Sequence, residues 1–395
     1  MVRILLFLTL LISLALGSRA EEYYWEKGET FLMFLERNSL PFSLYYGLDI
    51  EDKEMAAEIY AGTKYYLLRG NEGDVRQILI PVGGGELQLH IYKEKDNNFT
   101  ARFTPAAYQE SNRELTFELK VSPYQDIVAT TNNALLAHEF VHSFQGSVDF
   151  KRLRPGTNFV ILYKEKTRLG SQFSNPLIKA AMVDAGGKKD YVFYYEPKSR
   201  YYNNDGKEIE GFFLMTPLKY TRISSPFTLK RWHPVLKKYR AHFGIDYAAP
   251  TGTQVKAAGD GKVTFVGTMN GYGKTVKIAH EGGYTTLYAH LNGFTKSLKS
   301  GKNVKKGELI AYVGSTGVST GPHLHLGLYK NNQPINPSSV IKVAKSALSG
   351  SEKTNFNKYT NSMKEQLNEA RERKTLPEAY GSFVYAVDIL DDIGS

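Results

Sequence analysis

Cysteine is absent from the 395 residues. This excludes a disulfide framework, a thiol nucleophile, an iron–sulfur cluster, a zinc finger and a lipid anchor on a modified cysteine, each of which needs sulfur at a fixed place. Any metal must therefore rest on His, Asp or Glu. Apolar runs long enough to span a membrane, about 20 residues, are also missing beyond the first twenty positions. Internal repeats and low-complexity tracts are lacking too, which leaves ordinary globular domains, two or three for a chain of this length.

What is present begins with charge. Fifty Lys and Arg face 40 Asp and Glu, a net charge of +10. That excess fits nucleic acid, an acidic surface or a solubility margin, and charge alone does not separate them. The N-terminus narrows the choice. Arg3, the apolar run Ile4 to Leu16, and the small residues Ser18 and Ala20 read as a secretory signal peptide over 1–20, with an uncleaved anchor as the alternative. Cleavage after Ala20 removes Arg3 and Arg19 and lowers the charge to +8. An exported chain with no second apolar run is expected to be soluble, without a stable membrane anchor, and a poor partner for nucleic acid.

Residues 21–122 carry a short helix from Asp49 (DIEDKEMAAEIYAG), with Asp49 as N-cap and Gly62 closing. The strands KYYLLR, RQILIPV and ELQLHIY follow, so this is a small α+β domain. Residues 123–215 open on one helix (ATTNNALLAHEFVHSFQG, ended by Gly146) and continue with aromatic-rich strands, a second α+β domain. Residues 216–341 are a series of short β-runs punctuated by Gly and Asn. The tail, 342–395, contains a polar helix, packed or peripheral.

Three motifs compete for the chemistry. His138-Glu139-Phe140-Val141-His142 is an H-E-x-x-H match on the second domain's helix, the pattern in which two His one turn apart hold zinc beside a glutamate base. A helical wheel sets both His nearly opposite the apolar face of Leu136, Phe140, Val141 and Phe144, and the nearest downstream acids, Asp149 and Glu165, are poor third ligands. The segment therefore reads as a solvated helix face. Gly273-Lys274-Thr275 lacks the glycine that a phosphate loop requires at position 268 and is discarded.

The third is His242-x-x-x-Asp246, Tyr288-Ala289-His290 and His323-Leu324-His325. Side chains two apart on a strand share a face, so His323 and His325 project into one space. Neutral imidazoles with a carboxylate are the ligand set of a catalytic zinc that keeps one position for water. Taken singly, each His is more readily a packed residue, the reading kept for His233 and His280.

The segments HFGIDYAAPTGTQVKAAGDGKV, YTTLYAHL and GSTGVSTGPHLHLGLYKNNQPINP resemble the LytM/lysostaphin-like zinc metallopeptidases that cut peptidoglycan peptides. The likeness is closest over 216–341. The preceding regions are similar to those of full-length, cell-shape-determining D,D-peptidases of curved and helical Gram-negative bacteria. The resemblance implies zinc held by His242, Asp246 and His325, with His290 and His323 at catalytic positions, and no motif position is substituted. It implies an α+β multidomain chain: two small α+β N-terminal domains, a β-rich LytM-type peptidase domain and a C-terminal helix. The implied activity is D,D-endopeptidase, D,D-carboxypeptidase or both, on peptidoglycan in the periplasm, by a monomer. The rival is a non-enzymatic, wall-binding activator of another hydrolase. Full-length relatives often cover the groove with N-terminal segments, and here Glu54 is expected to offer its carboxylate to the zinc and displace water.

Overall fold

The computed structural model describes residues 19–70, 73–83, 86–94, 96–145, 147–168, 171–209, 214–233, 237–341 and 347–377. The expected signal peptide lies outside them except for Arg19 and Ala20, which begin the strand Arg19–Tyr24. Three antiparallel sheets of five, six and ten strands carry the described chain, with a two-stranded ribbon packed on the first.

The first sheet is a meander of Arg19–Tyr24, Lys64–Arg69, Val75–Val82, Leu87–Lys93 and Phe99–Pro105. Its apolar face packs on the helices Phe31–Arg37, Ser43–Tyr46 and Ile50–Ala57, of which only the last was expected. The core formed there is completed from far along the chain. Phe243 is buried in it, and Leu229, Tyr239 and Ala241 pack against it. A Cβ on Gly83 would lie 2.0 Å from the Phe243 ring. Only glycine leaves room for that ring.

The second sheet runs Arg200–Asn203, Lys188–Tyr195, Leu177–Ala185, Asn158–Arg168 and Gln109–Glu118. The single helix expected over residues 129–146 is instead two, Pro123–Thr131 and Ala134–Ser143. Asn132 turns left-handed at φ 52°, and the Asn133 side chain accepts from the Leu136 amide as a fresh N-cap. The break falls in the polar run Thr130-Thr131-Asn132-Asn133, where asparagine can both close one helix and cap the next. Asn133→Ala should lower stability by about 1 kcal/mol in urea titrations. The helix Gly350–Arg373 covers the opposite face of this sheet through Phe356, Thr360, Met363, Leu367 and Ala370, so the tail helix is packed.

In the third sheet the neighbours Gly244–Ala248, His323–Lys330, Tyr284–Phe294 and Gly273–Ala279 matter most. Alternation sends Ile245, Tyr247, Leu324, Leu326, Val276, Ile278 and Tyr288 into one core. Asp246, His325 and Ala289 share a cross-strand row on the other face. The fold class is the one expected: β-rich, with few helices, N-terminal α+β parts and a C-terminal helix.

Candidate active site

The strand pairing that aligns Asp246 with His325 brings distant residues to one point. His242 Nε2 lies 3.1 Å from Asp246 Oδ1, His325 Nδ1 lies 3.0 Å from the same oxygen, and the two nitrogens are 3.2 Å apart. Four tetrahedral ligands at zinc bond lengths of about 2.0–2.1 Å sit about 3.3 Å from one another, so the three donor atoms fit that ion. Their tautomers fit as well. His242 Nδ1 donates to the Pro226 carbonyl at 3.0 Å, which leaves Nε2 with its lone pair. His325 Nε2 is buried without a hydrogen-bond partner, and burial holds this imidazole below its ordinary pKa, in the neutral form a ligand needs. Burial alone would raise Asp246, but hydrogen bonds with His242 and His325 hold it well below the usual carboxylate range.

His323 and His290 stand beside this group, with ring centroids 4.7 Å apart. His323 Nδ1 donates to the Gly321 carbonyl at 2.8 Å, and its Nε2 is 3.8 Å from Asp246 Oδ1. His290 owes its direction to its backbone. Alternation from Tyr288 would point it into the core, but φ of 58° interrupts the strand there. Its Nδ1 donates to the Thr316 carbonyl at 2.8 Å. A left-handed φ costs a non-glycine residue about 1–2 kcal/mol. Burial pushes His290 down to about 4, aided by the neighbouring His325, so it is neutral with Nε2 as an acceptor.

The helix Ile50–Ala57 lies across the mouth of the site. Arg240 contacts Asp49 at 2.6 Å and also pairs with Glu51, Lys238 contacts Asp52 at 2.6 Å, and the Ala241 amide meets Met55 Sδ at 3.2 Å. Burial raises Glu54 to about 7, and the charges of Asp246 and His242 both act on it, so its carboxyl is within electrostatic reach of the ligand group.

The H-E-x-x-H segment is not the solvated face expected. His138 is exposed beside Tyr124, but Glu139 is buried, and His142 Nε2 is 3.1 Å from the Tyr284 hydroxyl. Asn331 donates to Glu139 at 3.2 Å, with Lys330 at 3.8 Å. A wheel drawn for one helix cannot register that the ten-stranded sheet covers its polar side. The two His do not converge on a metal. His280 is a satisfied core residue, 2.6 Å from the Asp260 carbonyl and 2.7 Å from the Thr286 hydroxyl. Sequence reading overlooked Tyr272, whose ring lies 5.4 Å from His325, and Tyr329, on the His325 face of the same strand. Period-two spacing from His325 would have found Tyr329; Tyr272 carries no such signal.

Residues 240–337 match peptidase family M23, and residues 22–106 match the Csd3 N-terminal family. The chain is 35% identical over 299 residues to the DD-carboxypeptidase/endopeptidase Mpg of Neisseria meningitidis, covering 69% of each chain. To the peptidoglycan DD-endopeptidase ShyC of Vibrio cholerae it is 29% identical, over 93% of this chain and 83% of that one. Among solved structures, Helicobacter pylori Csd3 superposes with a TM-score of 0.81 at 42% identity, over 90% of this chain and 96% of that chain. A zinc-containing peptidase from Vibrio cholerae gives 0.57 at 25%, over 82% and 100%. With the donor geometry and both sequence matches in agreement, the chain belongs to peptidase family M23, in the form that carries a Csd3-type N-terminal region.

Proposed function

We infer that the chain is a zinc metallopeptidase that hydrolyses peptidoglycan peptides, as D,D-endopeptidase, D,D-carboxypeptidase or both, in wall remodelling and cell shape. The observation that carries this reading is the trio of donor atoms 3.0–3.2 Å apart, with the imidazoles of His290 and His323 beside it. His242, Asp246 and His325 hold the metal. When bound, zinc supplies Lewis acidity, polarising a carbonyl and making water nucleophilic near neutral pH. His323 takes a proton through Nε2, and the Asp246 carboxylate 3.8 Å away stabilises the imidazolium that results. His290 has its Nδ1 committed to Thr316, so it stabilises charge on the tetrahedral intermediate only after Nε2 has taken up a proton.

The N-terminal region restrains this chemistry. Glu54, half-buried on the helix across the mouth, is the carboxylate that would approach a metal held by His242, Asp246 and His325 from the cover. The chain divides in function at about residue 216, into a cover and a peptidase unit reaching residue 341. A wall substrate places the enzyme outside the cytoplasm; the signal peptide, the periplasm and a monomeric state complete the reading. No helix among the described residues is long and apolar enough to cross a membrane.

Purified sacculi digested with the zinc-loaded mature chain should release muropeptides shortened by one alanine, or monomers from crosslinked dimers, identified by mass. A zinc-loaded chain that binds sacculi and leaves their muropeptides unchanged would favour the activator reading instead.

A further inference from the structure

We propose that Tyr329 and Lys277 form a subsite for the carboxylate on the leaving residue of the substrate, and that Glu58 of the covering helix occupies it as a stand-in. The proposal rests on the peptidase reading and specifies how that site chooses its bond.

Glu58 is the C-cap of Ile50–Ala57, where a negative charge opposes the helix dipole, and it is 6% exposed. Helix stability therefore gives no reason for a carboxylate there. Its partners belong to the peptidase sheet. The Tyr329 hydroxyl meets Glu58 Oε1 at 2.8 Å and Oε2 at 3.0 Å; burial pushes the Glu58 carboxyl up to about 7, while the Tyr329 hydrogen bond and the Lys277 charge both favour its ionised form. Lys277 is half-buried and lines the same cavity as Glu58 and Tyr329, on the Leu287 row of the sheet.

The register sets the distance from the chemistry. Asp246, His325 and Ala289 form one cross-strand row; Gly244, Gly327, Leu287 and Lys277 form the next on the same face, two residues or about 6.7 Å along. Tyr329 lies beyond Gly327 but leans back over it. A Cβ at Gly327 would be 3.3 Å from the Tyr329 hydroxyl, so the absent side chain lets that oxygen reach toward the His325 row. Glu54 and Glu58, four residues apart, repeat the spacing with a rise of about 6 Å on the helix. The helix thus sets one carboxylate against each row.

A D,D-bond joins two D-configured α-amino acid centres. Its leaving amine sits on a carbon that also bears a carboxyl group, one residue or about 3.8 Å beyond the cleaved carbonyl. This holds at a chain end and in a crosslink through a diamino-diacid, so one carboxylate subsite serves both activities. A cavity of about 670 Å³, lined by Glu58, Lys277, Leu287 and Tyr329 among others, opens beside it and has room for the rest of the leaving strand.

The test uses the full chain carrying Glu58→Gln, which removes the internal carboxylate, together with Glu54→Ala and Lys238→Glu, which loosen the cover. Two stem pentapeptides are compared, ending in D-Ala-D-Ala as the free acid or as the C-terminal amide. The acid should be cleaved with a kcat/KM roughly tenfold to a hundredfold above the amide, the range for one charge-assisted hydrogen bond. Lys277→Met, and to a lesser degree Tyr329→Phe, should erase that ratio by slowing the acid while sparing the amide, which also reports that the variants fold. Equal cleavage of acid and amide, or a parallel loss on both, overturns the proposal. If neither peptide is cut, the substrate reading has failed separately. The subsite is then judged by binding of the pair to the His323→Ala chain, where equal affinities overturn it and an acid preference lost in Lys277→Met upholds it.

Discussion

His323→Ala should lower kcat/KM on a defined stem peptide by about 10³-fold while zinc stays at one per chain. His325→Ala should lose both. The contrast follows from position. His325 contributes Nδ1 to the trio at 3.0–3.2 Å, whereas His323 has one nitrogen committed to Gly321 and the other 3.8 Å from Asp246. Removing the first leaves His242 and Asp246 as a two-point site, too few for tight binding. Removing the second takes away only a proton acceptor. Metal content by mass spectrometry alongside kinetics separates the cases. Zinc lost from His323→Ala, or retained by His325→Ala with activity intact, would sink the division of labour.

Loosening the cover should act in the opposite direction. Glu54→Ala combined with Lys238→Glu should speed sacculus digestion roughly 10- to 100-fold, the gain expected when an open form rises from about 1–10% to most of the population. Lys238 faces Asp49 and Asp52, so reversing its charge sets like charges together at the tether, and losing Glu54 clears the mouth. Point substitutions are better suited to this than a fragment starting at residue 216. Such a fragment would strip Phe243, Leu229 and Tyr239 of the core they pack in, and leave the helix Gly350–Arg373 without its sheet. No change in rate for the double variant, with its fold intact, would refute a covering role.

How much of this was legible beforehand depends on the range of the interaction. The strands from KYYLLR to HLHLGLYK were readable because alternation is local, and the same-face placement of His323 and His325 follows from period two. The meeting of His242, Asp246 and His325 followed only from resemblance, since cross-strand register is set over some 80 residues. Other features were out of reach. The left-handed His290 defies alternation and the burial of Glu139 depends on a distant sheet, whereas the break at Asn132 was marked by the polar run at 130–133. Glu58 carries no signal of its own in the sequence, since its Tyr329 partner lies 271 residues away.

The Phe243 ring seated over Gly83 bears on how the molecule is made. A chain emerges N-terminus first, and domains tend to fold in that order. The first sheet and its helices are complete in sequence long before residue 243 arrives, yet their core lacks its last aromatic until then. The residue that fills the gap follows His242 directly. The strand bearing that ligand would thus be drawn onto the first sheet before His290, His323 and His325 have emerged. On this order of assembly the first sheet and its helices would be in place beside His242 before the ligand set is complete.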